Sequence, residues 1–188
     1  MRQIQFTLYI LLISIVTIGQ NNSVGKLFFN LPLEKNVSSL NQTLSLDTLN
    51  FKSTLINNER YYYKVKADSF FNSKPTKIEI LVSNSKIPKD SAFTPTIVLF
   101  LHYDKATKKE QIKILYNDLV AKYSSLFATN RPEYIKAIRT DKHRKMNIDE
   151  WSTYFYTNKD DKLFKLIIGW TDEKKYGRNM TIIYTLDN

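Results

Sequence analysis

The chain has two histidines: His102, in Leu101-His102-Tyr103-Asp104, and His143, in Thr140-Asp141-Lys142-His143-Arg144-Lys145. A general base needs a second group to orient it. Asp104 lies on the same side of a strand as His102, because side chains repeat every second residue there. A triad would need a third group from another element, and no G-x-S-x-G, S-x-x-K or H-E-x-x-H motif accompanies the pair. His102 therefore reads as a half-exposed structural histidine, and His143 as part of a solvated basic loop. With no cysteine, no thiolate metal centre can be assembled, and two histidines leave little for a histidine-based one. Neither a metal nor any other cofactor is expected. Paired carboxylates occur at Asp149-Glu150, Asp160-Asp161 and Asp172-Glu173. Glycosidase chemistry needs two acids converging across a cleft, whereas each of these pairs falls at an expected strand start or turn. Four glycines leave no phosphate cradle. The expectation is a protein that is not an enzyme.

Binding chemistry is better represented. Lys105 to Lys145 holds eleven Lys/Arg against four acids, in a chain whose net charge is +10. The densest part contains Lys136, Arg139, Lys142, Arg144 and Lys145. Such a flank suits an acidic protein or an anionic envelope component, and it would steer their approach. A nucleic-acid site would interleave exposed aromatics with the basic residues, which this stretch does not do, so no nucleic acid is expected. A second set comes from strand alternation. If the Ile/Leu rows pack on helices, the opposite face collects Tyr62, Leu81, Val98, Phe100, His102, Tyr154, Tyr156, Ile167 and Ile183. That face is too apolar for an ordinary wet surface. Tyr62, Phe100, His102, Tyr154 and Tyr156 are its candidate binding residues, since such side chains join apolar area to a polar tip.

These residues need a sheet to present them. Alternating β-branched and aromatic residues predict strands over Arg60–Ala67, Lys77–Ser83, Thr96–Asp104, Glu150–Thr157, Leu163–Thr171 and Asn179–Leu186. Lys26–Pro32 reads as a short extended piece, and Tyr134–Arg139 as either a strand or a helical turn. A modest helix capped by Asn36 or Ser38 runs to about Leu46. A stronger one begins at Thr107-Lys108-Lys109-Glu110, which has the form of a capping box. Its stripe is Ile112, Leu115, Tyr116, Leu119, Val120, Tyr123 and Phe127, with Lys108, Lys109, Lys113, Asn117 and Lys122 on the wet side, and Arg131-Pro132 ends it. The fold class is α+β: a mostly antiparallel sheet of six to seven strands with helices on one face. Helix followed by three strands occurs twice, in halves 26–104 and 105–188, as a tandem duplication would produce. This layout resembles the beta-lactamase-inhibitor-protein-like fold, in which tandem helix-plus-meander halves form one curved sheet. No residue roles are carried over from it.

Arg2, the thirteen-residue apolar run Phe6–Ile18 and the small residues Thr17 and Gly19 have the layout of a cleaved secretory signal over residues 1–19. Cleavage before Gln20 leaves a single domain, 20–188, with a charge of +9 and no membrane-spanning segment. The composition, rich in Asn, Lys, Ile and Tyr, looks like that of exported proteins of AT-rich Bacteroidetes. The expected protein is secreted or periplasmic and binds a partner through the Tyr-rich face. A small-ligand or lipid carrier is the alternative, and an envelope hydrolase the second alternative.

Overall fold

A computed structural model describes residues 24–56, 59–66, 69–85, 94–141, 144–158, 163–173 and 177–186. The predicted signal segment lies outside them. The chain divides into two compact units, Met1–Glu34 and Lys35–Asn188.

In the first unit, Lys26–Phe28 forms one 3-10 turn, where an extended piece was expected. Phe29 and Asn30 follow with left-handed φ of 56° and 59°. Asn tolerates that conformation and Phe does not favour it. The turn closes through the Asn30 N–H on the Gly25 carbonyl at 2.8 Å and buries Leu27 and Phe28 completely.

The second unit contains α1 (Val37–Leu46), β1 (Phe51–Ile56), β2 (Glu59–Lys64), β3 (Lys77–Ser85) and β4 (Thr94–Tyr103). It continues with α2 (Lys109–Ser124), β5 (Thr129–Asp141), β6 (Arg144–Tyr156), β7 (Leu166–Glu173) and β8 (Gly177–Thr185). All eight strands form one antiparallel sheet in the order β1-β2-β3-β4-β8-β7-β6-β5. The class is α+β as expected, with eight strands in place of six or seven. Each helix precedes four strands, not three, and the two meanders meet where β4 pairs β8.

Residues paired directly across antiparallel strands share a face. One row therefore runs Ser53–Tyr62–Ile80–Leu99–Ile182–Ile168–Thr153–Pro132 across the whole sheet. From Tyr62 to Thr153 every member is buried. Both helices cover this face. The Tyr62 hydroxyl donates to the Asn41 carbonyl of α1 at 2.9 Å, and the Tyr116 hydroxyl of α2 meets Thr153 Oγ1 at 2.7 Å. Leu40 and Leu44 from α1, with Ile112, Leu115, Leu119 and Tyr123 from α2, complete the core. Each fully buried aliphatic side chain contributes about 1.5–3 kcal/mol. Pro132 sits on edge strand β5, where its missing N–H costs no ladder bond.

Asn36 caps α1 by accepting from the Ser39 N–H at 2.9 Å. The box of α2 is displaced by one residue from Thr107/Glu110: Gln111 Oε1 accepts from the N–H of the N-cap, Lys108, at 3.1 Å. The helix stops at Ser124, so Arg131-Pro132 belongs to β5, and Tyr134–Arg139 is strand throughout. Lys109 does not lie on the wet side. It is half-buried, 4.6 Å above the Trp151 ring and 3.5 Å from Asp172. Trp151 stacks on Trp170 at 4.1 Å, and Tyr134 continues the aromatic row to the sheet edge.

Candidate functional site

Neither α1 nor α2 packs on the other face of the sheet. Its rows follow from the same register. One runs Arg131–Tyr154–Ile167–Ile183–Val98–Leu81–Tyr61, and the next runs Glu133–Ser152–Gly169–Thr181–Phe100–Glu79–Tyr63. The third is polar: Glu150–Thr171–Asn179–His102–Lys77. Leu81, Val98 and Ile167 are buried, while Tyr61, Tyr63, Phe100, His102, Ile183, Tyr154 and Tyr156 are half-buried. This open face is graded from an apolar row with tyrosines at both ends to a row of hydrogen-bonding groups.

Phe100, His102, Tyr154 and Tyr156 are on this face as expected. Tyr62 is not: it lies 1% exposed beneath α1. Tyr61-Tyr62-Tyr63 has no alternation of its own, and pairing of Tyr62 with Ile80 turns it inward and its two neighbours outward. Tyr61 and Tyr63 are thus open-face residues that the sequence reading assigned to the other side.

His102 does not pair with Asp104, which is exposed beyond the end of β4 and accepts from the Ala106 N–H. Its Nε2 lies 2.6 Å from Glu79 Oε2 on β3, and its Nδ1 lies 2.9 Å from Asn179 Oδ1 on β8. Both ring nitrogens thus face acceptor oxygens of neighbouring strands. Burial works against ionisation of the Glu79 carboxyl, but hydrogen bonds from Lys77 and His102 outweigh it and hold the group below the usual carboxylate range. Lys77 Nζ is 2.6 Å from the second carboxylate oxygen and 5.8 Å from the Tyr63 ring centre. Burial also raises the Tyr154 hydroxyl, reinforced by the charges of Glu133 and Glu150 and opposed by Arg131, which lies 5.1 Å over its ring.

Of the acidic pairs, Asp149-Glu150 lies in mid-strand and Asp172-Glu173 ends β7, while Asp160-Asp161 lies outside the described residues. Strand alternation sends Asp149 and Asp172 to the helical face and Glu150 and Glu173 to the open face. There the two glutamates join Phe100, His102, Ile148 and Asn179 around a depression of about 470 Å³, with Thr171, Thr181 and Ile138 completing its wall. Among the described residues no three His, Asp or Glu side chains are arranged to hold a metal ion. Ser152, in the neighbouring row, occupies the space a side chain at Gly169 would need, and its hydroxyl donates to Glu150 Oε1 at 3.2 Å.

The basic flank is a hairpin, not a loop. Beyond Ile148, the last β6 residue paired with β7, four more β5–β6 pairs continue as a two-stranded arm, from Ile138↔Asn147 to Asp141↔Arg144. Arg139, Arg144 and Lys145 are strand residues of this arm. Lys136 precedes it and is exposed, whereas Lys142 and His143 fall outside the described residues. Ile138, at the root of the arm, lines the depression, so the basic stretch and the open face adjoin.

Compared with family models, curated proteins and solved structures, the chain matches none.

Proposed function

We propose that this is an exported, non-catalytic binding protein that engages its partner on the open face of the sheet, with the basic β5–β6 arm steering the approach. The observation that carries this reading is the half-buried row set Tyr61/Tyr63, Phe100/His102 and Tyr154 on the face opposite α1 and α2. Tyr side chains bury large areas while keeping a polar handle, which is why they recur at the energetic centre of interfaces. The engagement of both His102 ring nitrogens supports binding over hydrolysis. The open form of the depression favours a docking face over a carrier, which would enclose its ligand. The repeated helix-plus-four-strand order supports a tandem origin of the two halves, with the binding face shared between them.

A photo-crosslinking amino acid placed at Phe100 or Tyr154, with Lys113 on the exposed side of α2 as control, tests the reading in the producing cell. Adducts confined to the two open-face positions are expected. Equal labelling from Lys113, or none from either open-face position, would refute it. N-terminal sequencing of the exported material should start at Gln20, and retention of Met1 would overturn cleavage and make the segment an anchor.

A further inference from the structure

The geometry points to a neutral oligosaccharide as the ligand of the depression, lying across the strands along the Glu150–Thr171–Asn179–His102 row; we infer this on top of the open-face reading above. Four adjacent strands each place one hydrogen-bonding side chain in that row. Strands lie about 4.8 Å apart, so the row presents a polar group at steps comparable to the length of one sugar ring.

The electrostatics narrow the ligand class from both sides. Glu150 and Glu173 line the depression itself and repel an anion at contact distance. The +10 charge of the chain disfavours a cation on approach. A neutral ligand is opposed by neither, and it docks without the steering that the basic arm gives a charged partner. The groups on offer are also mixed: carboxylates only accept, whereas threonine hydroxyls and the Asn179 amide both donate and accept. Because His102 Nδ1 is paired with Asn179 Oδ1, the amide's own donors remain for a ligand. Hydroxyl groups of a sugar can satisfy every one of these partners, and carboxylate–hydroxyl bonds are the strong, charge-assisted kind. Phe100 sits in the adjacent row, half-exposed, where its ring can meet the C–H face of a sugar.

The experiment uses the exported protein, isothermal titration and amide-shift mapping. Cellohexaose, maltohexaose and chitohexaose serve as neutral probes, hexagalacturonate as an acidic one and hexalysine as a basic one. At least one neutral hexasaccharide should bind and shift the amides of Phe100, Thr171 and Asn179. Thr171→Val, which keeps strand preference and volume, should weaken that binding about tenfold by removing one hydrogen bond. Glu150→Gln should weaken it as well, while still able to accept from Ser152. If no neutral hexasaccharide binds, the inference is overturned. If hexagalacturonate or hexalysine alone shifts the same amides, the neutral-oligosaccharide assignment falls and the open-face reading stands. Shifts confined to other surfaces would count against both.

Discussion

Replacing Tyr62 and Tyr154 by alanine, one at a time, separates the buried face from the open one. Tyr62 is 1% exposed, lies under α1, and its hydroxyl donates to Asn41 and sits 3.0 Å from the Ser45 hydroxyl. Truncating a buried aromatic side chain costs about 3–5 kcal/mol, because the cavity does not close fully. In a chain of this length each kcal/mol lowers Tm by about 3 °C, so Tyr62→Ala should lose roughly 9–15 °C. Tyr62→Phe keeps the ring and loses only the hydroxyl bond, at a cost of about 1–2 kcal/mol. Tyr154 is half-buried, with an edge contact to Phe164 at 6.1 Å and Arg131 over its ring. Those contacts amount to about 1–2 kcal/mol, so Tyr154→Ala should lose roughly 3–6 °C. Thermal unfolding followed by circular dichroism at pH 7 reads both. A Tyr154→Ala loss equal to that of Tyr62→Ala would mean that the open face is a second core layer, and the binding face would go with it.

Leu119→Asp should destabilise by several kcal/mol, since Leu119 is 1% exposed in the centre of the α2 stripe, whereas exposed Lys113→Glu should stay within about 0.5 kcal/mol; equal urea midpoints would show that α2 is not packed on this side. Gly177→Ala should cost about 1–3 kcal/mol or more, because φ is +112° and the new Cβ would stand 2.6 Å from the Tyr103 carbonyl oxygen; an unchanged midpoint would contradict the close approach of β8 to the end of β4. The Glu79 carboxyl is held below its ordinary value of 4.5 in the folded chain, so it contributes stability that is complete above that pH and is lost as pH falls through the lower folded value. Glu79→Gln should therefore reduce the drop in stability between pH 6 and pH 3, and an acid transition of unchanged steepness would rule out the Lys77–Glu79–His102 arrangement.

The rows Ile78/Ile80/Val82, Ile97/Leu99/Leu101, Leu166/Ile168/Trp170 and Met180/Ile182/Tyr184 were legible in the sequence because period-two alternation is a local property. All of them are buried on the helix-covered face. The α2 stripe was legible for the same reason at period 3.6. Edge strands are harder to read. In β1 only Phe51 is buried, so Phe51–Ile56 carries little alternation, although Asn57-Asn58 after it is a hairpin signal. In β5, Arg131-Pro132 reads as a stop, yet proline is tolerated at a sheet edge and hides the longest hairpin. Tertiary structure alone decided the site. Register is a non-local quantity, set by which pairing buries a whole face at once, and a slip of one residue would exchange the two faces. That pairing sends Tyr62 inward and Tyr61 and Tyr63 outward. It also brings Glu79 to His102 from 23 residues away and Asn179 from 77 residues away. The join of β4 to β8, which places Asn179 and Thr171 in one row with His102, follows from burial of the combined core and has no counterpart in any short stretch of the chain.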